Sequence, residues 1–350
     1  MECPMIIDTH AHLRIGAMLH AVVAIIIRYC QAAVIEPNVH LPGFEDYGVR
    51  TAAQARFYRD LIKALATAAG YPNFRPKMAI LLADDTDADD VPFWRDADVV
   101  TGKGYPDGLY AHGGVSDYRN LDKVLRAMYE YDIPVSWHFE RPRFHPLLAE
   151  QAAIEDFRWF ADRGDVRVVH THASSAMALK AVWEYYPHAI AEVTPQHLWM
   201  TQDDVYDSTR TKIVYPHSWC RPPAKTAADR EACIEAAIEW AMGGSDFAPH
   251  PEWSDQIPSK KSDPPAAGCA NYPAGPSVVA KTFADRGALN RLREFLADRA
   301  SDWYGIELDG SSLVIENTSW VVDEEITVSP SQILVPWLAG VTLPWQVVAA

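Results

Sequence analysis

From residue 5 to residue 246, short apolar runs of strand length alternate with stretches of helical length, and no shift in composition interrupts the series. Segments 5–7, 32–35, 77–82, 98–103, 133–138, 166–172 and 188–193 read as strands; their mostly continuous apolar residues suit burial on both faces. Between them, 17–29, 51–69, 117–131, 146–163, 174–186 and 226–242 have helical length, and Thr51 stands where an N-cap belongs. Strand followed by helix, repeated, requires parallel strands with the helices packed outside. About eight units favour a closed (β/α)8 barrel, a TIM-type barrel of the α/β class, over an open sheet. No G-X-G-X-X-G or P-loop glycine pattern follows any strand, which argues against a dinucleotide or nucleoside triphosphate fold. The expectation is one domain over residues 1–350, ending in a C-terminal extension.

In such barrels the chemistry sits at the C-terminal ends of the strands. The first run ends in Asp8-Thr9-His10-Ala11-His12-Leu13-Arg14. Side chains two apart on an extended segment point the same way, so both imidazoles can reach one metal ion. Asp8 can steady the strand or orient a ring, and Arg14 continues the spacing toward an anionic ligand. Later strand ends supply Asn38, Lys103, His138, His172 and Asp246. Four imidazoles, a carboxylate and a lysine form a set able to hold two divalent ions, and zinc suits nitrogen and oxygen donors with open positions. An ammonium has no lone pair and cannot bridge cations. Reaction of Lys103 with CO₂ would give an anionic carbamate with one oxygen for each metal.

Other histidines carry less. His170 and His172 face the same way on a strand, so periodicity leaves open which of them is a ligand. His197, after Pro195-Gln196, reads as a supporting or loop residue, and His20, His40, His112, His145, His188 and His217 read as having no metal role. The aspartates from Asp84 to Asp90 read as a solvated charge run, and the tryptophans as core.

Charge narrows the partner. With 31 Lys+Arg against 47 Asp+Glu the formal net charge is −16, which argues against nucleic acid or an anionic membrane and leaves a small molecule as the expected ligand. The five cysteines are widely spaced with no Cys-X-X-Cys pair, the pattern of reduced thiols in a cytoplasm. No secretory leader pattern opens the sequence, and the longest apolar run, near 21–27, is too short to span a bilayer. A cytoplasmic location is expected.

The motifs Asp-Thr-His-Ala-His-Leu-Arg, Glu-Pro-Asn, Thr-Gly-Lys-Gly-Tyr-Pro, Trp-His-Phe-Glu, Val-His-Thr-His, Thr-Pro-Gln-His-Leu and Gly-Ser-Asp-Phe-Ala-Pro-His, in that order, resemble the dihydroorotases of the amidohydrolase superfamily, in their shorter bacterial form. Leu-Val-Pro-Trp-Leu-Ala-Gly at 334–340 extends the resemblance almost to the C-terminus. The resemblance implies a homodimeric (β/α)8 enzyme that interconverts N-carbamoyl-L-aspartate and L-dihydroorotate in pyrimidine synthesis. Its implied cofactor is a pair of zinc ions bridged by an N6-carboxylated Lys103 and a hydroxide. On that pattern His10, His12, Lys103 and Asp246 hold the more buried ion, and His138 and His172, favoured over His170, hold the other. Asp246 is the general acid/base. Arg14, Asn38 and His250 hold the substrate carboxylate, while Ala248, Gly268 and Arg221 offer backbone contacts. One loop departs from the pattern: segment 107–115 lacks the family's pair of threonines and is about two residues shorter, which passes closure over the substrate to Tyr110 or His112. That change keeps a second reading in play, a related amidohydrolase for another cyclic amide or imide. A third, a metal-free scaffold partner, is disfavoured by the intact ligand set.

Overall fold

The computed structural model describes residues 1–45, 47–109, 114–255 and 257–349. Eight parallel strands run in chain order around a nearly closed barrel: β1 Ile6–Ala11, β2 Cys30–Ile35, β3 Arg75–Leu81, β4 Val99–Gly104, β5 Val135–Trp137, β6 Val168–His170, β7 Ala189–Val193 and β8 Met242–Gly243. The ring is brought together where Phe247, just past β8, bridges Ala11 on β1 and its carbonyl accepts from the His12 amide at 2.8 Å. Every residue of β1 and β2 is buried, as strands covered by helices on one side and barrel contents on the other must be.

The helices follow the expected order with shifted bounds. Helix Ala52–Ala68 starts at a full capping box, in which the Thr51 hydroxyl accepts from the Gln54 amide and the Gln54 side chain accepts from the Thr51 amide. Such a cap contributes about 1 kcal/mol. The stretch read as one helix over 146–163 is two helices, Pro146–Ala152 and Ile154–Arg163, which meet at Ala153. The aspartates near 84–90 are not simply a solvated run. Asp84 accepts from the Ser116 amide, Asp87 caps a 3₁₀ turn, and Asp90 accepts from the Ala52 amide and the Trp94 indole. Backbone N–H groups at helix starts need acceptors, and these carboxylates supply them.

Beyond the barrel, strands Ser312–Glu316 and Gln346–Ala349 form an antiparallel sheet with the N-terminal strand Glu2–Pro4. The extension is thereby tied to the end of the chain that enters β1. Among the described residues no helix is long and apolar enough to cross a membrane.

Candidate active site

The C-terminal ends of the strands bring the expected side chains together. His10 is on β1 and His12 one residue beyond it; Asp246 follows β8. One ligand atom from each of the three lies within 4.8 Å of the others. Asp246 Oδ1 is 3.6 Å from Nε2 of both imidazoles, a separation that suits two donors on one ion. Lys103, on β4 and fully buried, places Nζ 3.5 Å from His10 Nε2 and 3.3 Å from Thr171 Oγ1. His138 and His172 complete the second half, with ring centroids 4.4 Å apart and His172 5.1 Å from the His10 ring.

Local backbone geometry explains which histidine turns inward. β6 ends at His170, and His172 has φ +42°, so the chain leaves the extended conformation before residue 172 and the shared facing predicted for the pair is lost. His170 packs instead on Phe139 and Phe157. Asp246 at φ +46° and Arg14 at φ +62° are also left-handed. Three side chains of one pocket in a conformation disfavoured for non-glycine residues mark a place where neighbours hold the backbone against its preference.

Carboxylates behind the rings set their orientation. Glu192 Oε1 lies 2.8 Å from His10 Nδ1 and accepts from the His172 amide at 3.0 Å, while its other oxygen takes the Thr9 hydroxyl at 2.7 Å. With Nδ1–H held there, His10 turns Nε2 toward the pocket. Glu140 does the same for His138, 2.6 Å from its Nε2, which leaves Nδ1 as the nitrogen with a lone pair. Asp8 accepts from the Ser245 amide at 2.8 Å and hydroxyl at 2.6 Å, fixing the residue before Asp246.

Titration follows from burial and these neighbours. Burial, helped by Arg14, drives the His12 ring well below 6.5, and burial, helped by His138, does the same to His172. Burial also lowers His138 to about 4. These rings are neutral, the form that binds cations. Burial alone would lower His10 as well, but the carboxylates of Glu36 and Glu192 outweigh burial and Lys103 and raise it to about 9. A cation bound at its Nε2 therefore displaces a proton. Burial pushes the Asp246 carboxyl up to about 7, with His10 and Lys103 pulling the other way. Among the described residues His12 Nδ1 and His172 Nδ1 are buried with no hydrogen-bond partner. Neutral imidazoles and buried carboxylates fit divalent metal.

The residues expected to hold the substrate carboxylate lie next to this cluster. Arg14 donates Nε to the Pro249 carbonyl at 2.9 Å, and its terminal nitrogen is 3.0 Å from His250 Nε2. Asn38 Oδ1 accepts from the Tyr105 hydroxyl at 2.7 Å. The Ala248 amide donates to the Cys269 carbonyl and the Gly268 amide to the Trp219 carbonyl, so the carbonyl oxygens at these two positions are what remains for a ligand. Gly268 is at φ +136°, and a Cβ there would stand 2.3 Å from the Ala248 carbonyl oxygen; only glycine allows this approach. At Arg221 the side chain matters as well as the main chain, since its Nε donates to Glu140 Oε2 at 3.2 Å. His197 supports this segment, with Nδ1 2.8 Å from Thr194 Oγ1 and Nε2 3.0 Å from the Pro222 carbonyl. Tyr110 and His112 lie outside the described residues.

Three site residues escaped the sequence reading: Glu36, Glu140 and Glu192. Each is at most 1 % exposed. A signal existed, since Glu36 directly follows β2, Glu140 stands two residues after His138 and Glu192 interrupts an apolar strand; an acid in such places must have partners to be buried at all.

No protein-family model matches the chain. A dihydroorotase of Leptothrix cholodnii is 32 % identical over 351 residues, covering 98 % of this chain and 97 % of that protein. The crystal structure of a dihydroorotase from Campylobacter jejuni superposes with a TM-score of 0.83 at 27 % identity, over 99 % of this chain and 97 % of the other. That of the Saccharomyces cerevisiae dihydroorotase in complex with 5-fluoroorotic acid gives 0.88 at 23 % identity, over 99 % and 98 %. Near-complete coverage at this identity, together with the amidohydrolase-type barrel, establishes that the chain belongs to the dihydroorotase family.

Proposed function

We propose that this chain is a dihydroorotase that catalyses the reversible ring closure of N-carbamoyl-L-aspartate to L-dihydroorotate in pyrimidine synthesis. The observation that carries the reading is an anion clamp, Arg14 on His250, set beside a cluster of metal-type donors in a barrel of this family. In this reading His10, His12 and Asp246 would hold one zinc ion and His138 and His172 the other, with a carboxylated Lys103 as a ligand available to both. Bound there, two zinc ions would lower the pKa of a water from 15.7 to about 7 and polarise the amide carbonyl.

The chain's own residues do the rest. Arg14, with His250 and Asn38, grips the substrate carboxylate by charge-assisted hydrogen bonds and so fixes the ring relative to the donors. Carbonyl oxygens of Ala248 and Gly268, and the main chain at Arg221, are placed to receive the ring amide. In hydrolysis Asp246 takes the proton of the attacking water and passes it to the leaving nitrogen; in ring closure it takes the proton of the carbamoyl nitrogen. Glu192 and Glu140 keep His10 and His138 in the tautomers that metal binding needs.

The remaining parts of the proposal are a single domain over residues 1–350, a homodimer and a cytoplasmic location. The deciding experiment is a zinc-loaded assay in both directions, beside Lys103→Ala. Activity that vanishes in the variant supports the reading. A parent that binds two zinc ions and does not turn over dihydroorotate refutes the substrate. The threonine-free loop then directs the next assays to hydantoins and dihydrouracil.

A further inference from the structure

Glu36 directly follows β2, is 1 % exposed and has no part in the mechanism above. Its Oε2 lies 3.4 Å from Lys103 Nζ and accepts from the Tyr105 hydroxyl at 3.0 Å, and its Oε1 lies 3.7 Å from His10 Nε2. The same Tyr105 oxygen lies 2.7 Å from Asn38 Oδ1, so its one proton goes either to Glu36 or to Asn38. A buried carboxylate must be paired to be tolerated, and this one is paired to the lysine and to a phenol that leads to the substrate side of the pocket.

Carboxylation of a lysine joins the neutral amine's lone pair to CO₂ and releases one proton, R–NH₂ + CO₂ → R–NH–COO⁻ + H⁺. The nitrogen keeps a single N–H, and its planar carbamate can rotate unless that N–H is fixed. The polar atoms around Nζ are His10 Nε2, which faces the metals, Thr171 Oγ1 and Glu36 Oε2. Thr171 already donates its own proton to the Trp137 carbonyl at 3.0 Å, so it can accept, but as a neutral oxygen. Glu36 is the charged acceptor, and hydrogen bonds to an ionised acceptor are about twice as strong as neutral ones. Gly104, next along the strand, keeps the lysine's backbone in place, because a Cβ there would stand 2.1 Å from the Trp137 ring.

We propose that Glu36 is a positioning residue for the lysine carbamate: its carboxylate accepts the N–H that Lys103 retains after carboxylation and shares with Asn38 the Tyr105 hydroxyl as a donor. The metal half and the carboxylate-binding half of the pocket then meet at one phenol. This rests on the proposed carboxylation of Lys103.

The test uses the full-length zinc-loaded protein equilibrated with ¹³C-bicarbonate, reading the carbamate carbon by NMR and zinc per chain by elemental analysis, with Lys103→Ala as the blank. Glu36→Leu removes the acceptor and is expected to cut the carbamate signal by about fivefold or more and to lose one zinc. Glu36→Gln keeps a weaker, neutral acceptor oxygen and is expected to leave both between the parent and Glu36→Leu. Equal signals in parent and both variants overturn the proposal, and so does an equal loss in Leu and Gln, which would point to charge or packing. If Glu36→Leu does not fold, Tyr105→Phe reads the shared phenol: a several-fold rise in KM for dihydroorotate with the carbamate signal unchanged supports the link, and an unchanged KM overturns it. An active parent with no carbamate signal overturns this proposal and leaves the dihydroorotase reading standing. A carbamate that responds to Glu36 in a protein inactive on dihydroorotate supports the proposal and removes that substrate instead.

Discussion

Replacing Lys225 by methionine strands a buried carboxylate beside the turn that carries His172. Lys225 Nζ lies 2.9 Å from Glu150 Oε2, and the two side chains are 3 % and 0 % exposed. Lys225 also bonds the Ser174 hydroxyl, and Glu150 accepts from the Ser174 amide at 2.8 Å. Burial would raise the Glu150 carboxyl, but Lys225 and the Ser174 bonds outweigh it and bring it from 4.5 to about 2. At about 1.4 kcal/mol for each unit, that difference is about 3 kcal/mol. Breaking such a pair by removing one partner costs about 3 to 5 kcal/mol, because the other charge stays buried. The sign with pH follows. In the parent, the unfolded chain binds the proton more readily than the folded one, so this stabilisation is fully present above pH 4.5 and is lost as pH falls from 4.5 toward 2. In Lys225→Met the largest opposing charge is gone and burial is left against His170 and the Ser174 donors, so the folded carboxyl is expected to move above its unfolded value and the variant to lose stability as pH rises instead. Urea unfolding of both proteins at pH 7 and pH 5 is therefore expected to show a gap of about 3 kcal/mol or more that narrows at the lower pH. The double variant Lys225→Met, Glu150→Leu is expected to recover most of the loss. A gap below about 1 kcal/mol at pH 7, one that does not change with pH, or a double variant no better than the single would refute the reasoning.

Further outcomes follow from the pocket. Glu192→Gln weakens the acceptor that holds His10 Nδ1–H, and zinc affinity measured by chelator competition is expected to fall about 10- to 100-fold; an unchanged affinity contradicts the orienting role. Gly268→Ala puts a Cβ against the Ala248 carbonyl in a backbone region that alanine avoids, at a cost of about 1 to 3 kcal/mol, so thermal stability should drop and KM for dihydroorotate should rise, and a parent-like KM would show that this loop does not shape the site. Arg14→Met removes a charge-assisted grip of about 1.5 to 3 kcal/mol, expected as a roughly 10- to 100-fold loss in kcat/KM; a change confined to a factor of two would place the substrate carboxylate elsewhere.

Much of the barrel and the donor set was legible in the residues, because both rest on local chemistry. Runs such as Cys30–Ile35 must be buried on both faces, and the stretches between them have helical length, which leaves parallel strands with helices outside. His10 and His12 share a side through the two-residue repeat of a strand, and Lys103, His138 and Asp246 could be placed at strand ends from the same pattern. What the repeat could not decide was His172, since the left-handed turn after His170 depends on contacts from other elements, among them Glu192 of a neighbouring strand on its amide and Glu150 of a helix on Ser174 two residues later. Glu36, Glu140 and Glu192 were hidden for a related reason. Whether an acid in an apolar segment is an error, a surface residue or a partner depends on what stands opposite it, and their partners include Lys103 and His10 on other strands and Arg221 on a distant loop. The sequence by itself determined the order of the strands, the class of fold and the kinds of atoms that meet at its mouth, because periodicity and donor chemistry are properties of neighbouring residues. Only the tertiary structure decided which nitrogen of each ring faces the pocket and which carboxylate holds it there, because those choices are made across the barrel by groups as much as 182 residues apart in the chain.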